Sequence, residues 1–286
     1  MTVPPLQWSP IEDLPDNWES LRSQSLKNLV LVWKERSQQL QGSSVLERFK
    51  NGLRQEWLSE VDLLEYLYST DRGTTQIFLE QGIEISLPSQ SSEARLAELS
   101  VPSNIKGLFS FVTQEIDLSA FYIRELHQVL ARNQKTTWAQ DTSGKLIEIP
   151  LAHGQWKTRP NNPRRPDGTI HEYCPPEQVQ SEIDSLLSMY NQHQTIDVPT
   201  EIEAAWLHHR FTQIHPFQDG NGRVARTLAS LIFLRKGLFP VVIRTHDRQE
   251  YIAASEAADR GDLSPLSDLF SRLQERILIK ALGLST

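Results

Sequence analysis

Residues 215–226 read His215-Pro216-Phe217-Gln218-Asp219-Gly220-Asn221-Gly222-Arg223-Val224-Ala225-Arg226, placing an imidazole, a carboxylate, two glycines and two arginines in one loop and the helix turn after it. Glycines let a backbone approach an anion closely, and the N–H groups of a loop entering a helix form an electropositive pocket reinforced by the helix dipole. Gly220, Asn221 and Gly222 would form that pocket. Arg223 and Arg226, three residues apart, can turn both guanidinium groups to one side, toward neighbouring phosphates. Asp219 can give one carboxylate oxygen to Mg²⁺, an ion that keeps waters and takes its other ligands from phosphates. A histidine's unperturbed pKa of about 6.5 suits His215 to be a proton acceptor for an attacking hydroxyl near neutral pH. The set fits a triphosphate.

Each residue also has a plain alternative. A histidine before proline commonly does no more than end a helix, and Asp-Gly-Asn-Gly is ordinary turn composition. Two other phosphate or metal loops are excluded, because a P-loop needs Gly-Lys-Ser/Thr and an EF-hand needs an acid or amide where Arg223 stands.

The elements that must hold this loop read as helices. Leu118, Phe121, Leu126, Val129 and Leu130 recur at helical spacing within Asp117–Asn133, and Val179, Ile183, Leu186, Leu187 and Tyr190 do so after Pro175 and Pro176. Thr200-Glu201-Ile202-Glu203 reads as a capping box opening a helix through Trp206 and His209, which brings the chain to His215. Val224, Leu228, Leu231 and Ile232 continue the other side of the loop until Gly237 and Pro240 stop the helix. In the N-terminal third, Leu26, Leu29, Val30 and Trp33 form one helical series, and Trp57, Val61, Leu64 and Tyr68 another. Strand signals are confined to Lys145–Ile149 and Pro240–Arg244, and the polar stretch Pro88–Ala94 reads as a linker.

The chain has 286 residues, enough for one large domain or two small ones. Its 29 basic and 36 acidic residues leave a net charge of -7, which disfavours a broad nucleic-acid surface and makes any polyanion site local. One cysteine, Cys174, allows no internal disulfide and no Cys-rich zinc site, and so points to a reducing compartment, the cytoplasm. The first residues lack the basic and apolar regions of a secretory signal. No apolar run approaches the roughly 20 residues of a membrane-spanning helix, so neither a membrane nor a nucleic-acid partner is expected.

The whole string matches the pattern H-x-F-x-D/E-G-N-G-R-x-x-R at every fixed position, and with it the sequence resembles protein adenylyltransferases of the Fic (filamentation induced by cAMP) family. The resemblance implies a mainly α Fic-type helical bundle with a small β-hairpin flap, a catalytic core over 116–286 and a helical extension over 1–115. It also implies a reaction, transfer of AMP from ATP to a hydroxyl side chain of a target protein with loss of pyrophosphate. In that scheme His215 deprotonates the hydroxyl, Asp219 binds Mg²⁺, Gly220, Asn221 and Gly222 cradle phosphates, and Arg223 and Arg226 hold the outer ones. Phe217 anchors the loop in the core. Gly154–Pro176 would be the flap, with Lys157, Arg159, Arg164 and Arg165 either attracting ligand or simply exposed. Tyr251 and Asp259 would lie near the nucleoside, although Tyr251 equally suits a core aromatic. Other phosphate chemistry on this fold (kinase-type transfer, transfer of another nucleotide, removal of AMP) and an ATP-binding regulator are the alternatives.

Many members of the family carry an inhibitory helix of pattern S/T-x-x-x-E-G/N whose glutamate pairs with the second motif arginine, here Arg226. Glu65 in Val61-Asp62-Leu63-Leu64-Glu65-Tyr66 is the candidate by context, though Val61 and Tyr66 depart from the pattern. Ser43–Glu47 and Ser271–Glu275 keep the hydroxyl and the glutamate but end on arginine.

Overall fold

The computed structural model describes residues 7–71, 116–140, 146–163 and 168–285, without the side chains of residues 61–71, 140 and 146. Two N-terminal helices, α1 (Gln24–Gln39) and α2 (Ser44–Asp71), precede α3 (Ala120–Ala131), the strands β1 (Thr136–Gln140) and β2 (Leu146–Pro150), and helices α4 (Val179–His193), α5 (Thr200–Ile214) and α6 (Asn221–Arg235). Two further helices, α7 (Arg248–Ala258) and α8 (Ser264–Leu282), complete the α-helices and strands among the described residues, beside three short 3-10 turns.

Helices α5 and α6 form the centre. Their buried residues run all round rather than along one stripe, with Ala205, Trp206, Leu207 and Phe211 on α5 and Val224, Leu228, Leu231 and Phe233 on α6 fully enclosed. A helix apolar on every side must be covered on every side. Accordingly α4 and α8 pack on α5, while α2 and α3 pack on α6. The N-terminal helices belong to the same core: Trp57 is completely buried, and Trp33 and Phe49 meet Phe239 with ring centroids 5.1 and 5.5 Å away.

Several local expectations needed correction. Helix α3 begins at Ala120, where the Ser119 hydroxyl accepts from Tyr122 N at 3.1 Å. Its buried side is Tyr122, Ile123, Leu126 and His127, and Phe121 is 72% exposed. Thr200 is inside α5 and Pro199 is its N-cap, so no hydroxyl caps this helix; Glu203 turns instead to His193. Pro240–Ile243 is buried but, among the described residues, Pro240–Arg244 pairs with no strand; Val241 N donates to the Ser230 hydroxyl at 3.1 Å. The two-stranded antiparallel hairpin is β1–β2, with Trp138 opposite Glu148, and it precedes the segment expected to be the flap. The described residues 154–163 and 168–175 of that segment hold no strand but one bridge position, at Ile170, next to which His171 N donates to Pro163 O at 3.0 Å. Strand β1 escaped notice because its inward positions are Thr137 and Ala139 while Trp138 faces out, the reverse of the usual apolar-in pattern. The Pro88–Ala94 segment lies outside the described residues.

A strap before α1 is tied across α4 and α5. Ile11 N donates to Glu182 Oε2 at 2.8 Å, Trp206 Nε1 donates to Glu12 O at 3.1 Å, and the buried His193 ring contacts Asp13 Oδ1 at 2.6 Å and Glu203 Oε2 at 3.1 Å. Burial alone would lower the His193 pKa, but the two carboxylates more than offset it and the net shift is upward. A raised folded-state pKa gives stability that is fully present below about 6.5 and is lost as pH rises through the folded value. The melting temperature is therefore expected to fall more steeply from pH 6 upward than it does in His193→Gln. Equal pH dependence in the two proteins, read by thermal denaturation, would remove His193 as the cause.

Candidate active site

The motif loop joins the buried ends of α5 and α6. The chain leaves α5 through His215, whose φ of 51° and ψ of 56° are left-handed, a conformation that costs a non-glycine residue about 1 kcal/mol or more. Its backbone N–H donates to Phe211 O at 3.0 Å, and its ring lies flat on Tyr173 with centroids 3.7 Å apart. Nδ1 stands 3.2 Å from the Thr212 carbonyl, which can only accept, so the ring proton is on Nδ1. Nε2 is left as the basic nitrogen. The side chain is only half-buried.

Phe217, fully buried as expected, fixes the middle of the loop. It stacks on His127 at 3.8 Å, and Asn221 clamps its backbone, Oδ1 accepting from Phe217 N at 2.9 Å and Nδ2 donating to Phe217 O at 2.8 Å. Asn161 Nδ2 donates to that same carbonyl at 2.7 Å. The Asn221 side chain is thus bonded within the loop itself.

Gly220 then opens α6 with φ 78°, and a Cβ there would lie 3.2 Å from Arg223 Nη2 and 3.3 Å from His127 Nε2. Both the backbone and the close approach require glycine. No side chain caps the start of α6, so the N–H groups of its first turn point out of the helix unmatched by a capping group. This is the local geometry that binds anions. Gly222 lies in this turn and is partly exposed.

Asp219 is held from three sides. Its Oδ1 accepts from Gly220 N at 2.7 Å, and its Oδ2 accepts from Gln134 Nε2 and Thr137 Oγ1, each at 2.7 Å. His127 supports its backbone: Gly154 N donates to Nδ1 at 2.8 Å, which puts the proton on Nε2, and Nε2 donates to Asp219 O at 3.0 Å. Burial pushes the His127 pKa down to about 4, so the ring stays neutral and keeps this tautomer. Arg223 and Arg226 are both buried; Arg223 donates from Nη1 to Leu130 O at 3.2 Å and from Nη2 to Gln134 Oε1.

The structure thus brings His215, Asp219, Gly220, Asn221, Gly222, Arg223 and Arg226 together at the start of α6. Tyr251 and Asp259 are buried or nearly so against α5, where Tyr251 OH meets His208 Nε2 at 2.7 Å and Asp259 Oδ1 meets His209 Nε2 at 3.1 Å. Lys157 is not an exposed charge. It is buried, with burial pushing its pKa down to about 8, and Nζ donates to Asn161 Oδ1 at 2.8 Å while its backbone N donates to Pro216 O at 2.7 Å. Arg164, Arg165 and the Glu65 side chain lie outside the described residues; the Glu65 backbone is in α2. Of the rival brake candidates, Glu47 pairs with Lys50 at 3.3 Å and Glu275 accepts from the Ser23 hydroxyl at 3.1 Å. His127, Gln134, Thr137 and Tyr173 were missed, because a supporting residue distant in sequence carries no signature of the loop that it touches.

Residues 117–233 match the model of the Fic/DOC family. They form a Fic/DOC domain. Over 108 residues the chain is 33% identical to protein adenylyltransferase fic-1 of Caenorhabditis elegans, covering 38% of this chain and 21% of that protein. It is 41% identical over 83 residues to protein adenylyltransferase Fic of Nematostella vectensis, covering 29% and 19%. The chain thus spans about a fifth of the length of these relatives. A Fic domain containing signaling protein from Bacteroides thetaiotaomicron superposes with a TM-score of 0.66 at 25% identity, over 90% of this chain and 95% of that one. Fic-1 of C. elegans, at 23% identity and a TM-score of 0.63 over 91% of this chain and 71% of its own, shares the fold.

Proposed function

We propose that this protein is a Mg²⁺-dependent protein adenylyltransferase that moves AMP from ATP to a hydroxyl side chain of a target protein. The observation that carries the reading is the juxtaposition of His215 Nε2, left basic by the Nδ1 contact to Thr212 O, with the uncapped start of α6. Relatives named protein adenylyltransferases support it. In this scheme the target hydroxyl gives its proton to His215 Nε2 and its oxygen bonds the α-phosphorus. The bond from that phosphorus to the bridging oxygen breaks, and pyrophosphate leaves. The first-turn N–H groups of α6 and the guanidinium groups of Arg223 and Arg226 hold the outer phosphates and their growing charge.

The donor set suits Mg²⁺. No group of three or more His, Cys, Asp or Glu able to hold a metal occurs among the described residues, so an all-protein cage is not the design. One carboxylate plus substrate phosphates is the habit of Mg²⁺, and Asp219 Oδ1 keeps a lone pair beside its bond to Gly220 N. Bound there, Mg²⁺ would offset phosphate charge and orient the chain of phosphates.

Residues 1–115 are proposed to restrain the domain 116–286, with Glu65 as the inhibitory carboxylate acting on Arg226. The packing of α2, which carries Glu65, on α6, which carries Arg226, supports this. A cytoplasmic location is proposed from the single cysteine; no helix among the described residues is long and apolar enough to cross a membrane.

Incubation with ATP labelled at the α- or the γ-phosphate tests the reaction. Label is expected on protein only from the α position, and Glu65→Gly is expected to raise it about tenfold or more, since a freed arginine recovers a charge-assisted phosphate contact. Label from the γ position would identify kinase-type transfer. Unchanged labelling in Glu65→Gly would end the inhibitory assignment.

A further inference from the structure

We propose that Gln134 is a positioning residue that couples the metal-binding carboxylate to the phosphate-binding guanidinium, so that Asp219 and Arg223 are set as one unit; this rests on the Mg²⁺ and ATP reading above. Gln134 sits between α3 and β1, outside the motif and about 80 residues before it in sequence. Its backbone is fixed at both groups, N donating to Ala131 O at 2.8 Å and the carbonyl accepting from His153 Nε2 at 2.7 Å. From that fixed point the side-chain amide reaches both partners. Nε2 donates to Asp219 Oδ2 at 2.7 Å, and Oε1 accepts from Arg223 Nη2.

The polarity of the amide is dictated by its neighbours. A carboxylate oxygen only accepts and a guanidinium only donates, so an amide is the side chain that satisfies both at once. A carboxylate at 134 would repel Asp219, an ammonium would repel Arg223, and a hydrocarbon would hold neither. Thr137 Oγ1 supplies the second donor to Asp219 Oδ2. With both lone pairs of Oδ2 taken, the remaining acceptor site of the carboxylate is on Oδ1, and a cation is directed there in monodentate fashion. Thr137 therefore acts on the carboxylate alone, whereas Gln134 acts on the carboxylate and the arginine together.

That difference supplies the test, read by calorimetric titration with ATP in EDTA and again in excess Mg²⁺. Gln134→Glu is nearly isosteric, and its carboxylate should hold Arg223 away from phosphate. Affinity for ATP in EDTA is expected to fall about tenfold, the effect of losing one charge-assisted contact. Gln134→Met, which loses the acceptor without adding charge, is expected to fall about threefold in EDTA, and both variants should gain less affinity than wild type when Mg²⁺ is added. Thr137→Val should match wild type in EDTA and differ only in the gain from Mg²⁺. Melting curves on the same samples separate binding from folding.

Wild-type ATP affinity in EDTA for both Gln134 variants would overturn the coupling. So would a Thr137→Val profile indistinguishable from theirs, or failure of both Gln134 variants to fold, which would make the residue structural. If wild type binds Mg²⁺-ATP but transfers no AMP, the reaction assigned above fails while the coupling is still decided by these binding data. If wild type binds no ATP, both fail.

Discussion

Replacing His215 with alanine is expected to lower AMP transfer by about 10³-fold while ATP affinity changes little, because positioned general bases typically contribute 10²–10⁴. The expectation follows from what the ring touches. Nδ1 is committed to the Thr212 carbonyl and one face to Tyr173, which makes Nε2 the unprotonated nitrogen of the ring. Alanine has a second effect, since residue 215 has a φ of 51° and alanine resists that conformation. Asparagine tolerates it and is no base at neutral pH, so His215→Asn separates loss of the base from strain in the loop. Transfer from α-labelled ATP should fall equally in both variants, with melting temperature better preserved in Asn. If His215→Asn transfers AMP at near the wild-type rate, His215 is an element of backbone geometry and not the base.

The order of legibility along this chain follows from how local each cause is. The motif at 215–226 could be read because everything it needs (a left-handed glycine, an uncapped helix start, two arginines one turn apart) lies within a dozen residues. Helix α4 could be read for a related reason, since its apolar spacing is a local record of the face it buries; for α5 and α6, buried all round, that spacing marks only part of the covered surface. Phe121 shows the limit, since it stands at helical spacing with Leu118 yet is exposed; spacing tells which residues share a face and not how wide the covered face is. The supports of the site were invisible because they are bonds between distant segments. His127 to Asp219, Gln134 to Arg223 and Lys157 to Pro216 join residues that nothing in the sequence pairs. Lys157 illustrates the consequence: a lysine among prolines and arginines looks solvated, but the loop folds so that its ammonium reaches Asn161, which in turn bonds Phe217 O of the motif loop. The acidic balance of the chain is compatible with the proposed triphosphate site, since one helix start and two buried arginines supply positive potential there.

Asn221→Ala is expected to do the second-largest damage, and to do it through the loop instead of through the ligand. The side chain makes two hydrogen bonds to the backbone of Phe217, both buried. Their loss is unequal. Phe217 O keeps the bond from Asn161 Nδ2, whereas Phe217 N is left without an acceptor, and an orphaned buried donor costs about 1–3 kcal/mol. Stability should therefore fall by about 2 kcal/mol, and the loop between Phe217 and Gly220 should lose the conformation that aligns His215 with the start of α6. A misplacement of roughly 1 Å costs about 10² in rate, so transfer is expected to drop at least that far even in protein that is fully folded at the assay temperature. Asn221→Asp distinguishes this cause from loss of a phosphate contact. An aspartate still accepts from Phe217 N, so stability should largely return, but its second oxygen faces the Phe217 carbonyl and adds negative charge beside the phosphates. Melting temperature and ATP affinity, measured on both variants, should then part company: alanine low in stability, aspartate low in affinity. Equal affinity losses in the two, with stability intact, would mean that Asn221 holds the ligand directly and that its bonds to Phe217 are incidental.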